Sequence, residues 1–199
     1  MKKILLAIAG VLALLVVGVL GAASTRPDVL HVERSAEVAA QPVDLAPYLT
    51  DYKRFVQWSP WSEMDPNSKV AFSDPSSGPG AWYTWDGDPS TVGKGKMTLK
   101  SVAPDRVDHD LEFIAPWQGN PATSFLLQAG EKTKITWTFD EPQNLQSKVM
   151  GLFLDFDTML GADFEKGLAK LSALAVADAN ARIERRSEER RVGKECRSR

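Results

Sequence analysis

With 199 residues, 43% of them hydrophobic and 25% charged, the chain has the size and composition of one folded domain with a short appendage, which excludes general disorder. Its single cysteine, Cys196, excludes an intrachain disulfide framework and a cysteine metal cluster. The net charge of −2 is spread unevenly, with basic ends around an acidic middle, so the folded part lacks the basic excess that nucleic-acid binding needs.

Every residue from Ile4 to Ala23 is Ile, Leu, Val, Ala or Gly. As a helix rising about 1.5 Å per residue, that run spans the roughly 30 Å hydrocarbon core of a bilayer. Lys2 and Lys3 precede it, and the positive-inside bias then places the N-terminus in the cytoplasm and the rest of the chain across the membrane. Residues 1–26 therefore read as a single-pass anchor. A cleaved signal sequence is the alternative, with Gly21-Ala22-Ala23 as the processing site.

Leu30, Val32, Ala36 and Val38 alternate with His31, Glu33, Ser35 and Glu37, the period of a half-buried strand, with Arg34 in the apolar phase. Val43 to Phe55 carries apolar residues at helical intervals interrupted by Pro47, which predicts two short helices before a Trp58-Ser59-Pro60-Trp61 turn. Six further strands are predicted between Gly and Pro breaks: Val70–Ser73, Ala81–Trp85, Lys94–Val102, Arg106–Phe113, Ala122–Leu127 and Lys132–Phe139. Met150 to Met159 reads as a separate apolar turn or helix. Leu160, Phe164, Leu168, Leu171 and Ala175 then share one helical face, which predicts the longest helix. The fold class is α+β: a curved antiparallel sheet of about seven strands around a long C-terminal helix.

Residues Arg186–Arg199, RSEERRVGKECRSR, resemble the translation of a common sequencing-library adapter. The segment reads as an assembly artefact, expected to be irregular, and its basic residues and Cys196 are set aside for function.

Chemistry-bearing residues are sparse. Two histidines do not make a metal site or a catalytic triad, so no metal, cofactor or catalytic residue is expected. His31 lies on the polar phase of its strand, whereas His109 shares phase with Val107, Leu111 and Phe113 and points toward the interior. A structural His109 competes with a ligand contact or a general base. Asp155 and Asp157 do not share a helical face, and Asp86 and Asp88 flank a turn glycine, so neither pair reads as acid and base. Gly93-Lys94-Gly95-Lys96 lacks phosphate-loop spacing and leads into a strand, so it reads as a hairpin. Trp58, Trp61, Tyr83, Trp85, Phe113 and Trp137 fall on or beside the inner surface, and Met97, Phe156, Met159 and Leu160 add adaptable apolar walls. With His109 these are the cavity candidates, each competing with plain core packing.

The segments Trp58-Ser59-Pro60-Trp61, Asp65-Pro66, Gly80-Ala81-Trp82-Tyr83-Thr84-Trp85, Val92-Gly93-Lys94-Gly95-Lys96-Met97, Thr136-Trp137-Thr138 and Gly151-Leu152-Phe153 together resemble the polyketide-cyclase-like branch of the SRPBCC superfamily. That superfamily includes START domains and the birch-pollen allergen type. The resemblance covers the globular part, residues 29–177, and implies a helix-grip fold with an apolar ligand cavity. It does not imply cyclase chemistry. The expected function is a membrane-tethered module that binds an apolar, lipid-like or aromatic molecule, oriented by His109, Arg34 or a Trp indole N–H, with no nucleic-acid partner. A cyclase or dehydratase using the same cavity and a protein-interaction domain with a closed core are the alternatives.

Overall fold

A computed structural model describes residues 2–197, with side chains through residue 191. Helix α1 (Lys2–Ser24) precedes strand β1 (Val29–Val38). Three short helices follow: α2 (Pro42–Thr50), α3 (Tyr52–Trp58) and α4 (Pro60–Met64). The remaining strands are β2 (Lys69–Phe72), β3 (Trp82–Asp86), β4 (Lys94–Ala103), β5 (Arg106–Ala115), β6 (Ala122–Gln128) and β7 (Thr133–Pro142). Helices α5 (Leu145–Met150) and α6 (Phe156–Arg197) close the chain.

All seven strands pair antiparallel in the order β1-β7-β6-β5-β4-β3-β2, so the first strand reaches the second by crossing over through the three short helices. The predicted strands agree with the observed ones to within a few residues because alternation is a local property of each strand. The helical crossover differs in detail. Pro47 sits inside α2, and the break falls at Asp51, whose extended backbone (φ −119°, ψ 115°) ends one helix while its carboxylate accepts from Lys53 N to cap the next. Pro47 removes only the bond to the carbonyl of exposed Val43 in the first turn, which the short helix tolerates. Pro60 begins a third short helix where a turn was expected, because proline's fixed φ suits the first helical position.

Helix α6 lies against the sheet through Phe164, Leu168, Leu171, Ala175 and Ala179, a stripe of three- and four-residue steps. Arg34 explains the charge in the apolar phase of β1. Its guanidinium meets the Asp157 carboxylate through two nitrogens, at 3.1 and 3.0 Å, and Glu165 at 3.3 Å, so it clamps the edge strand to α6. His31, exposed as expected, pairs with Asp140 at 2.7 Å. Arg186–Arg199 was expected to be irregular; its described part instead continues α6. Arg, Glu and Lys are strong helix formers, and a helix already nucleated on the sheet propagates through them at little cost. The described side chains from Arg186 to Arg191 are exposed and add nothing to the core.

Candidate functional site

The interior is divided into a solid half and a hollow half. Trp58, Phe55, Phe125, Trp137 and Phe164 form a buried aromatic cluster, with the Trp137 and Phe164 rings stacked at 4.2 Å and 4° and Trp58 edge-on to Trp137 at 5.3 Å. Their polar atoms are satisfied internally: Trp58 Nε1 donates to the Tyr48 carbonyl at 3.0 Å and Trp137 Nε1 to Thr123 Oγ1 at 2.8 Å. Between this cluster and the strand ends at Trp85, Gly95 and Phe113 lies a cavity of about 180 Å³.

Trp61, Tyr83, Trp85, Met97, Phe113, Trp137 and Leu160 meet around that cavity. Trp137, with Phe55 and Phe164, forms its boundary with the cluster, Met97 and Tyr83 line it from the sheet, and Leu160 and Trp61 from the helical side. Other candidates do not reach it. Trp58 is fully buried in the cluster, Phe156 is half-buried at the start of α6, and Met159 faces solvent because one step around α6 turns it away from Leu160.

His109 is also elsewhere. It lies in the middle of the sheet between Leu99 and Thr123, 1% exposed and ringed by Tyr52, Phe55 and Phe125. Its Nδ1 is 2.9 Å from the Tyr52 hydroxyl, and its Nε2 has no hydrogen-bond partner. Burial pulls its pKa down to about 3, outweighing the nearby Asp108 charge and the Leu49 backbone. A neutral imidazole walled off from the cavity neither orients a ligand there nor acts as its base, and Arg34 is committed to α6. Both expectations of a polar handle are corrected.

Of the polar handles expected, a Trp indole is present in the lining, on Trp61, and Tyr83 brings a phenol that was anticipated only as an aromatic wall. Tyr83 and Trp61 line it, and among the described residues neither the Tyr83 hydroxyl nor the Trp61 indole N–H makes a hydrogen bond; the Ser59 and Ser62 hydroxyls on the same wall make none either. Burial pushes the Tyr83 phenol up, so it stays neutral and able to donate. By contrast, Trp85 Nε1 is held by the Val92 carbonyl at 3.0 Å. Alternation marks Tyr83 as inward-facing, but an unsatisfied hydroxyl is a property of the folded neighbourhood. The wall contains no carboxylate, imidazole, amine or thiol, and no group of three His, Cys, Asp or Glu residues able to hold a metal occurs among the described residues.

Gly95 shapes the wall. A Cβ there would collide with the Trp85 ring and come within 2.7 Å of the Glu112 carbonyl oxygen. Gly95→Ala is expected to displace Trp85, lower stability by about 1 to 3 kcal/mol and alter the near-ultraviolet circular dichroism; an unchanged spectrum would show that the ring does not depend on Gly95.

An open seven-stranded antiparallel sheet gripping one long helix, with an apolar cavity between them, defines the helix-grip fold, and the resemblance to the SRPBCC superfamily holds at the level of fold. No protein-family model and no curated protein sequence matches the chain, so the likeness is one of structure. The di-domain ARO/CYC StfQ from the steffimycin biosynthetic pathway superposes with a TM-score of 0.54 at 12% identity, over 76% of this chain and 52% of that one. DynU16, from the dynemicin biosynthetic locus, superposes with a TM-score of 0.50 at 19% identity, over 74% of this chain and 47% of its own. The chain thus spans about half the length of these two proteins. Protein CV1439 from Chromobacterium violaceum matches along nearly its whole length, 98%, and over 75% of this chain, at 13% identity and a TM-score of 0.52.

Proposed function

We propose that residues 29–177 form a binding module for a small apolar molecule, aromatic or lipid-like, held at the outer face of a membrane by α1. The observation that carries this reading is the composition of the cavity wall. Aromatic and aliphatic side chains supply affinity, and the unpaired Tyr83 hydroxyl and Trp61 N–H supply orientation. The volume sets the scale, since an apolar cavity of about 150 Å³ accepts a molecule the size of benzene. One ring or a short alkyl segment fits the present shape, and a larger ligand requires the walls to move. Helix α1 is long and apolar enough to cross a membrane, and Lys2 and Lys3 favour its N-terminus in the cytoplasm. Arg186–Arg199 is assigned no role.

Structural likeness to an ARO/CYC protein gives a cyclase or dehydratase as the second reading. It would have to use Tyr83 as its acid, because Tyr83 is the only ionisable side chain on the wall, and burial makes that phenol a weaker acid than in water. A protein-interaction domain with a closed core is disfavoured by the cavity itself.

Mass analysis of an organic extract of the purified chain, together with titration of an apolar fluorescent probe, tests the binding reading. Leu160→Trp is expected to abolish probe uptake while leaving the urea midpoint near the parent's, because the new ring fills space instead of displacing packed atoms. Tyr83→Phe is expected to leave hydrocarbon uptake intact and to weaken ligands bearing a hydrogen-bond acceptor by about 0.5 to 1.5 kcal/mol. If the parent takes up no apolar molecule from a broad panel, the binding reading fails. If Tyr83→Phe abolishes a turnover and leaves binding unchanged, the enzyme reading replaces it.

A further inference from the structure

The apolar surface of the domain is concentrated at the end of the sheet where α1 is attached. Strand pairing identifies that end: Val29 of β1 meets Pro142 of β7, Asp86 of β3 meets Lys94 of β4, and Lys94 meets Ala115 of β5. Trp117, in the loop after β5, is 63% exposed, and Phe153, in the segment after α5, is 75% exposed. They are the only exposed aromatic side chains among the described residues, and both lie at this end, as do exposed Ile114, Leu145 and Leu154. Outward-facing Trp and Phe are unfavourable in water and suit the interfacial layer of a bilayer.

The attachment of α1 is braced. Lys148 of α5 pairs with Asp28 at 2.6 Å, Gln143 N donates to the Asp28 carbonyl at 2.7 Å, and the Arg26 side chain packs against Gly151. Leu152 and Phe153 bound an apolar groove with Leu14, Leu15 and Gly18 of α1. Gly18 lies six residues before Ser24, so at about 1.5 Å per residue Phe153 sits roughly 9 Å along the helix from its domain end. An apolar face lying on a membrane is buried about 5 to 10 Å, so a bilayer that surrounds α1 also reaches Phe153. The cavity opens the same way. Its half-buried lining residues Trp85, Val92, Phe113 and Leu160 lie at this end, while its fully buried ones, Met97, Trp137 and Phe55, lie deeper.

We propose that this end of the domain rests on the bilayer, with the Phe153–Leu154 segment and Trp117 inserted into the interface, so that the cavity mouth faces lipid and its ligand enters from the membrane. The proposal rests on the readings of α1 as a retained span and of the cavity as a ligand site. Insertion is apolar: Asp88 and Asp155 are exposed at the same end and oppose attraction to anionic headgroups, while Asp86 and Asp157 are paired with Lys94 and Arg34, so a zwitterionic bilayer is the matching surface.

The test uses the full chain in phosphatidylcholine vesicles, with Cys196→Ser and one reporter cysteine at a time: Phe153→Cys, Trp117→Cys, or Lys132→Cys in the β6–β7 turn at the opposite end. Each carries a polarity-sensitive fluorophore, and lipids spin-labelled near the headgroup act as quencher. Probes at positions 153 and 117 are expected to be blue-shifted and quenched several-fold more than the probe at 132. If all three are equally unquenched while the protein floats with the vesicles, the docking is overturned and the anchor stands. If the protein does not float, the anchor reading fails and the docking with it. Phe153→Asp combined with Trp117→Asp is expected to slow transfer of an apolar fluorescent probe from vesicle to protein several-fold without changing equilibrium binding of the same probe added from water. Unchanged transfer overturns entry from the membrane, and so does slowed transfer matched by an equal loss of binding from water.

Discussion

Lowering the pH below about 6.5 is expected to destabilise the domain at roughly 1.4 kcal/mol per pH unit, through His109. Burial sets its folded-state pKa at about 3, whereas the unfolded chain has the ordinary value of 6.5. Between those values the unfolded state takes up a proton that the folded state refuses. Stability is therefore complete above 6.5 and falls as the pH drops toward 3. The total is a few kcal/mol, a large part of the roughly 5 to 15 kcal/mol that holds a typical domain together. Neighbouring titrations occupy other windows or act in the opposite sense. His31, raised by Asp140, contributes stability that is present below the unfolded value and lost as the pH rises through its folded one. Asp28 and Asp157 are lowered by Lys148 and Arg34, and Asp108, which burial alone would raise, is lowered on balance by Ser124, Ser101 and Arg106, so their losses begin only as the pH approaches the carboxylate range. Burial raises Glu141, which gains stability on acidification and offsets part of the fall near its own range. Urea midpoints measured from about pH 4.5 to 6.5 follow His109 against the opposing contribution of Glu141 at the lower end of that window. Replacing His109 alone would orphan the Tyr52 hydroxyl, so His109→Leu with Tyr52→Phe removes both ends of the hydrogen bond. The double variant is expected to lose the slope in this window; a slope equal to the parent's would show that another group carries the acid response.

His109 also shows where sequence stops being informative. Its phase with Val107 and Leu111 correctly turned it inward, because alternation is decided within one strand. Whether inward means cavity or solid core depends on Tyr52, Phe55 and Phe125, which arrive from helix α3 and strand β6. Trp58 and Trp61 make the same point within one motif. They lie three residues apart, but the break at Ser59 between α3 and α4 sends one into the cluster and the other to the cavity wall. The α6 stripe from Phe164 to Ala175 was legible because helical period is local, as was Leu160; Met159 differed because one residue of rotation separates a wall from solvent. Arg34 stood out in the sequence only as a charge in the wrong phase. Its partners, Asp157 and Glu165, lie more than a hundred residues away, and no local pattern pairs them.

Removing the Trp137 ring is expected to have the largest single effect on both stability and binding. The side chain is 2% exposed, stacked on Phe164, edge-on to Trp58 and to Trp61, and forms the partition between the solid cluster and the cavity. Trp137→Ala should lower stability by about 3 to 5 kcal/mol, the range for emptying a buried aromatic site that relaxes only partly. Thr123 Oγ1 loses the indole donor but keeps its own bond to the Thr138 carbonyl, so the defect is a void and not an orphaned hydroxyl. Because the void opens onto the existing space of about 180 Å³, the variant should accept a two-ring aromatic that the parent excludes. Binding then returns part of the lost stability, about 2.7 kcal/mol at a ligand concentration one hundred times the dissociation constant. Thermal unfolding of both proteins with and without such a ligand provides the measurement. A midpoint that rises with ligand in the variant and stays fixed in the parent identifies Trp137 as the wall that sets ligand size. A variant that is destabilised but gains nothing from any aromatic would show that the cluster collapses into the gap, and that the grip behind Trp137 is core alone.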